Sequence, residues 1–170
     1  MAGFIMKLNA LFLGVALFVL AGCKYSNQYN TINADNKFSV SVPDWLKKDE
    51  QLKPGAQFQY SNRFRNIYVI GETLSATKPL AELNTEVITP TRLALVNPVV
   101  SDSVNVEMNG LKGVRTELFG KMEGENIYYS HLLLADKNEV IHICLWTRTE
   151  ERKLKYKDDI EKILGSVKAL

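Results

Sequence analysis

The chain has 170 residues, of which 46% are hydrophobic and 24% charged, with 21 basic side chains against 19 acidic ones. A formal net charge of +2 leaves no electrostatic footprint for nucleic acid, and the sequence holds no basic stripe interleaved with aromatics. Two cysteines in a chain of this length exclude a disulfide framework, so packing alone has to stabilise the fold.

The first element is "ALFLGVALFVLAG" at residues 10–22, uncharged but shorter than the roughly 18 to 20 apolar residues a membrane-spanning helix needs. Lys7 supplies a positive flank, Ala21 and Gly22 are small, and the polar "KYSNQYN" follows at once, which is the pattern of a cleaved signal peptide. Leu20-Ala21-Gly22-Cys23 resembles the lipobox of bacterial lipoproteins. The resemblance implies cleavage between Gly22 and Cys23, followed by a diacylglycerol thioether and an acylated amine, palmitate among the chains, on Cys23. Two or more chains anchor a protein stably, since each buried methylene contributes about 0.8 kcal/mol. The same pattern fits a translation start at Met1 or at Met6. Lys24 rather than an aspartate follows the lipidated position, which by resemblance to lipoprotein sorting implies the outer membrane, facing the periplasm.

Residues 1–22 are thus expected to be a lipoprotein signal peptide, residues 23–37 a lipidated tether and residues 38–170 one globular domain of ordinary size. The tether "KYSNQYNTINADNK" is polar, rich in asparagine and without periodicity, and spans at most roughly 50 Å when extended.

The domain opens at "KFSVSVPDW", where Phe38, Val40 and Val42 alternate with serines as in a half-buried strand that Pro43 ends. Short strands are expected in "AQFQYSN" and "NIYVIGE", after a solvated loop in "LKKDEQLKPG". "TKPLAELNTEVITP" predicts a helix with Pro79 in its first turn and an apolar stripe of Leu80, Leu83, Val87 and Ile88. Pro90 should end or kink it, with "TRLALVNP" as a second helical piece.

From residue 104 the turn chemistry is clearer. Asn109-Gly110 sits between alternating runs and tolerates the positive φ of a tight hairpin. "MEGEN" then leads into "NIYYSHLLLA", and "DKNE" into "VIHICLWT", which gives consecutive antiparallel strands. The last two are apolar almost throughout and should be central, covered on both faces. In "TRTEERKLKYKDDIEKILGSVKAL", Thr147 and Glu150 have capping-box spacing, and Tyr156, Ile160, Ile163, Leu164 and Val167 form one apolar helix face.

An opening strand ending in Pro43-Asp44-Trp45, three early strands, a helix, a meander containing "NGLKG" and a closing amphipathic helix together resemble the PsbP-like fold. That fold occurs in an extrinsic subunit of photosystem II, in a nuclear-import accessory factor and in many small bacterial lipoproteins. The resemblance implies an α+β sandwich, a mainly antiparallel sheet of about seven strands covered by helices, and a non-catalytic role in binding other proteins.

Candidate chemistry is sparse. A two-residue loop at Lys137-Asn138 sets His131 and Cys144 opposite each other on adjacent strands. Two ligands do not make a zinc site, however, and a Cys-His catalytic pair needs an exposed, activated thiolate, whereas both residues sit in apolar strands. Cys144 therefore reads as a small buried hydrophobe, and His142 as a satisfied histidine inside a sheet. Trp45, Tyr128, Tyr129 and Trp146 either fill the core or line a pocket. The acids in "DDIE", "TEERK" and "EGEN" lack calcium-loop spacing, and no phosphate loop, nucleophile elbow or His-Glu-x-x-His helix occurs. No catalytic, cofactor-binding or metal-binding residue is assigned. The expected function is that of a membrane-anchored accessory module with an envelope protein partner; the alternatives are a small-ligand or lipid-binding module and, more remotely, a hydrolase or metal-dependent enzyme using His131 and Cys144.

Overall fold

The structure is a computed structural model that describes residues 28–170. Gly22, Cys23 and the signal segment lie outside the described residues. Among the described residues, eleven strands form two antiparallel sheets and three helices pack on them, so the expected sheet covered by helices is present, with more strands than the sequence pattern suggested.

The smaller sheet has the order β1-β2-β11, from Tyr29–Ala34 (β1), Phe38–Pro43 (β2) and Lys168–Ala169 (β11). β1 corrects the expected tether: residues 29–34 pair along their whole length with β2, from Tyr29 opposite Pro43 to Ala34 opposite Phe38. The segment is polar because it is an edge strand with one face in water. Only Ile32 and Ala34 turn toward the core. β2, flanked on both sides, is buried on both faces rather than half-buried.

The larger sheet runs β3-β4-β5-β10-β9-β8-β6, with β7 also paired to β8. Its strands are Lys47–Lys48 (β3), Phe58–Asn62 (β4), Ile67–Ser75 (β5), Val96–Val100 (β6), Val104–Met108 (β7), Leu111–Met122 (β8), Glu125–Asp136 (β9) and Glu139–Arg148 (β10). Tight turns at Asn109-Gly110 and Glu123-Gly124 join the long strands, with φ of 51° and 81° in the first and 54° and 84° in the second. These angles are the positive pair that a two-residue hairpin requires. β10 is central and buried from Val140 to Leu145, as its unbroken apolar run predicts.

Alternation sorts the side chains of the larger sheet onto two faces. One face carries Ile67, Val69, Leu132, Leu134, Ile141, Ile143 and Leu145 into the main core, where Phe38, Val40 and Val42 of β2 meet them. Helices Glu150–Lys155 (α2) and Lys157–Gly165 (α3) close this core with Tyr156, Ile160, Ile163 and Leu164, followed by Val167. The terminal helix thus docks as its stripe predicts, but it breaks at Tyr156, and its cap is not Thr147. That residue belongs to β10, and Thr149, at φ 64°, accepts from the Arg152 amide.

The opposite face lies under Leu80–Ala94 (α1), whose Leu83 packs on Val114, Leu133 and Val140. Asn84 pins the helix to the sheet by donating to Thr116 Oγ1 at 2.9 Å and Ser103 Oγ at 3.0 Å. Pro79 is the residue before the helix rather than within its first turn. Pro90 does not end it. The proline and Glu86 are both exposed, so the carbonyl that Pro90 leaves without its amide partner is open to solvent, and the helix continues to Ala94. Val96 onward is strand β6 rather than helix, and its pairing with β8 shifts register between Val96 and Val99.

Candidate functional site

The β9–β10 register places Cys144 opposite His131, as the loop length predicts, on the α1 side of the sheet. There the pair is the inner end of a longer polar chain. Cys144 Sγ lies 3.8 Å from His131 Nε2, His131 Nδ1 lies 3.1 Å from His142 Nε2, and His142 Nδ1 lies 3.1 Å from Glu72 Oε1. Lys53 closes the outer end, donating to both Glu72 oxygens at 2.6 and 2.7 Å. The two imidazoles stack nearly parallel, 5.3 Å between centroids.

A carboxylate only accepts, so His142 donates to Glu72 from Nδ1. In the neutral tautomer that carries this proton, His142 Nε2 accepts from His131 Nδ1, and His131 Nε2 accepts from the thiol. The charges agree with that order. The His142 hydrogen bond, with Lys53 beside it, holds the Glu72 carboxyl at about 2, and burial pushes His131 down to about 3 and the Cys144 thiol up to about 12. Cys144 is 5% exposed. A neutral, covered thiol is no nucleophile, so the chain joins three strands through satisfied polar groups. Among the described residues, no group of three or more His, Cys, Asp or Glu side chains is arranged to hold a metal.

The other face offers a site that ligands can reach. Between β8–β10 and the paired helices α2 and α3 lies a cleft of about 340 Å³. Ser130, Leu145 and Thr147 form its floor, Tyr128 one wall, and Leu154, Lys157 and Ile160 the helical side. Arg115 is held rigidly at one end: its guanidinium donates to both Glu161 oxygens at 2.7 and 2.8 Å, to Glu117 at 2.9 Å and to Ser130 Oγ at 3.0 Å. That bond to Arg115 lowers the Glu161 carboxyl below its usual range. Lys153 lies 5.0 Å over the Tyr128 ring, which stacks on Phe119 at 4.8 Å. The cleft therefore combines apolar contact area with fixed ion pairs and hydroxyls, the composition of a binding site.

Of the four aromatic candidates, Tyr128 and Tyr129 line this cleft. Trp45 packs in the main core against Tyr156, 5.6 Å away, beneath the Arg65 guanidinium at 4.4 Å. The Tyr129 ring itself stacks on Trp146, and Trp146 in turn on Tyr68, on the α1 side of the sheet. Sequence reasoning missed Glu72, Lys53, Arg115 and Glu161. Alternation in "VRTELFG" does put Arg115, Glu117 and Phe119 on one face, but nothing local links Arg115 to a glutamate 46 positions away.

No protein-family model matches the chain, and no curated protein matches it by sequence. Solved structures do match in fold. Cyanobacterial PsbP from Synechocystis superposes with a TM-score of 0.63 at 10% identity, over 89% of this chain and 99% of that one. The Ran-binding protein Mog1p of Saccharomyces cerevisiae gives 0.61 at 10% identity, over 84% and 96%. LpqN of Mycobacterium tuberculosis, described as involved in cell envelope biogenesis, gives 0.57 at 11% identity, over 85% and 91%. The chain has the PsbP/Mog1-like α+β fold, and at these identities the likeness establishes the fold alone.

Proposed function

We propose that this protein is a lipid-anchored accessory module of the bacterial cell envelope, which binds another envelope protein through the cleft between β8–β10 and α2–α3 and catalyses no reaction itself. The observation that carries the reading is the cleft, where Tyr128, Leu154 and Ile160 stand beside the Arg115 guanidinium, which Glu161, Glu117 and Ser130 hold in place. Preorganised polar groups beside apolar contact area favour association because little order is lost on binding. Cys23 is the lipid attachment point and Gly22-Cys23 the cleavage site, supported by the lipobox "LAGC"; Lys24 supports the outer membrane, with the domain facing the periplasm. The thiol that an enzyme would need is neutral and covered. Two of the fold's other carriers are described as a Ran-binding protein and as a protein of cell envelope biogenesis, which is compatible with this role.

The cleft volume favours a second reading. About 340 Å³ is at the lower end of the range of small-molecule pockets, roughly 300–1,000 Å³, so an amphipathic metabolite or lipid headgroup would also fit. Chemical crosslinking in intact cells followed by mass spectrometry separates the two: recurrent protein neighbours support the accessory role, and their reproducible absence, with a small molecule co-purifying, supports the ligand-binding one.

A further inference from the structure

Phe64 is 87% exposed, more than any other large apolar side chain among the described residues. It stands at the tip of the β4–β5 turn, which is built to hold one shape. The Arg65 amide donates to the Asn62 carbonyl at 3.1 Å and to Asn62 Oδ1 at 2.9 Å, the Asn66 amide donates to the Arg63 carbonyl at 3.3 Å, and Asn66 has φ of 55°. Two arginines flank the ring. Arg63 pairs with Asp49 at 3.2 Å, whereas Arg65 is spread over the Trp45 ring and has no carboxylate within ion-pair distance among the described residues. The neighbouring β3 adds Lys47 and Lys48, both exposed; Lys47 donates to the Asp44 carbonyl at 2.6 Å and has no carboxylate partner among the described residues, whereas Lys48 pairs with Glu50 at 2.6 Å.

This turn lies at the end of the domain where the chain leaves toward Cys23. The Asp44 amide donates to the Gln28 carbonyl at 2.8 Å, and Asn62 Nδ2 donates to the Trp45 carbonyl at 2.8 Å, so two hydrogen bonds and the Asp44-Trp45 peptide connect Gln28 to the base of the turn. Because β1 begins at Tyr29, only residues 24–28 separate the domain from Cys23, a reach of at most about 18 Å. An anchor so short holds this end of the domain against the bilayer.

We infer that the Arg63-Phe64-Arg65 turn is a membrane contact: the Phe64 ring enters the headgroup region of an anionic bilayer while Arg65, with Lys47 and Lys48 beside it, meets lipid phosphates. An apolar ring among cations is the composition of interfacial anchors, and a second attachment point is what turns a tethered domain into an oriented one. The inference rests on lipidation of Cys23, and its physical basis is separate: a rigid exposed aromatic, an uncompensated guanidinium and a five-residue reach. Orientation follows from it. The β9–β10 turn at Lys137-Asn138, at the opposite end of the sheet, points into the aqueous phase.

The test uses the full chain, processed in a bacterial host and reconstituted in vesicles of phosphatidylethanolamine and phosphatidylglycerol. Phe64→Cys and Lys137→Cys are each labelled with an environment-sensitive dye, since lipidation occupies Cys23 and Cys144 is buried. The dye at position 64 is expected to shift to the blue and to lose emission when doxyl-labelled lipid is included, while the dye at 137 does neither. Equal emission at the two positions, or deeper burial at 137, would overturn the contact. Flotation of a chain that begins at Lys24, and so carries neither the apolar segment nor the lipid, is read in parallel: if it floats with vesicles as the parent does, the anchoring reading fails, whatever the dye at position 64 reports.

Discussion

Lowering the pH from 7 to 5 perturbs one buried group in particular. His131 is 2% exposed, donates to His142 and accepts from Cys144, and burial with His142 and Lys53 nearby depresses it from 6.5 to about 3. Because the folded value lies below the unfolded one, the unfolded chain takes up the proton first. The stabilisation is complete above pH 6.5 and is lost as the pH falls toward 3. One proton bound only by the unfolded chain changes stability by about 1.4 kcal/mol per pH unit, which integrates to about 2 kcal/mol between pH 7 and 5. Glu72 adds nothing in that interval: its contribution is present above 4.5 and is lost only as the pH falls from there to about 2. Cys144, raised to about 12, stays protonated throughout. Urea denaturation followed by tryptophan fluorescence at both pH values measures the difference. His131→Gln keeps a donor and an acceptor at the site and removes the titration, so its urea midpoint should move far less between pH 7 and 5. An unchanged parent midpoint, or a pH dependence that survives in His131→Gln, would refute the assignment of a buried neutral imidazole.

Other outcomes follow from packing. Gly113→Ala places a methyl group on the Leu133 carbonyl oxygen of the adjacent strand, where neither backbone can yield, and should cost on the order of 4 kcal/mol or abolish folding; the urea midpoint or soluble yield reports it. Ile163→Ala removes a fully buried side chain from the face of α3 that closes the main core, and about 3 kcal/mol of stability should go with it by the same assay. Cys144 should resist a water-soluble thiol reagent at neutral pH in the folded protein and react promptly in urea, with mass spectrometry counting the modification.

What could be foreseen from the sequence was whatever is encoded locally. Asn109-Gly110 announces its hairpin, the Lys137-Asn138 loop sets the register that joins His131 to Cys144, and the period of Ile160, Ile163 and Leu164 marks a helix face that does dock. β1 and β6 were illegible because edge strands need not bury both faces: "YNTINA" looks like a polar linker, and "VNPVV" carries a proline and exposed valines. The helix cap is Thr149 rather than Thr147: the hydroxyl spacing is generic, and only the end of β10 decides between them. The polar chain and the cleft depend on pairs brought together by topology. His142 meets Glu72 at a separation of 70 residues and Arg115 meets Glu161 at 46, distances at which periodicity carries no information.

The central claim, that a partner protein occupies the cleft beside Tyr128, is tested most directly by site-specific photocrosslinking in intact cells. A photoreactive amino acid at exposed Leu154, on the rim of the cleft, is compared with one at Glu86 on the outer side of α1, in chains that retain Cys23. The account predicts one discrete protein adduct from position 154 and none of that mass from position 86. The same adducts from both positions, or none from 154 in membranes where the protein is abundant, would contradict it.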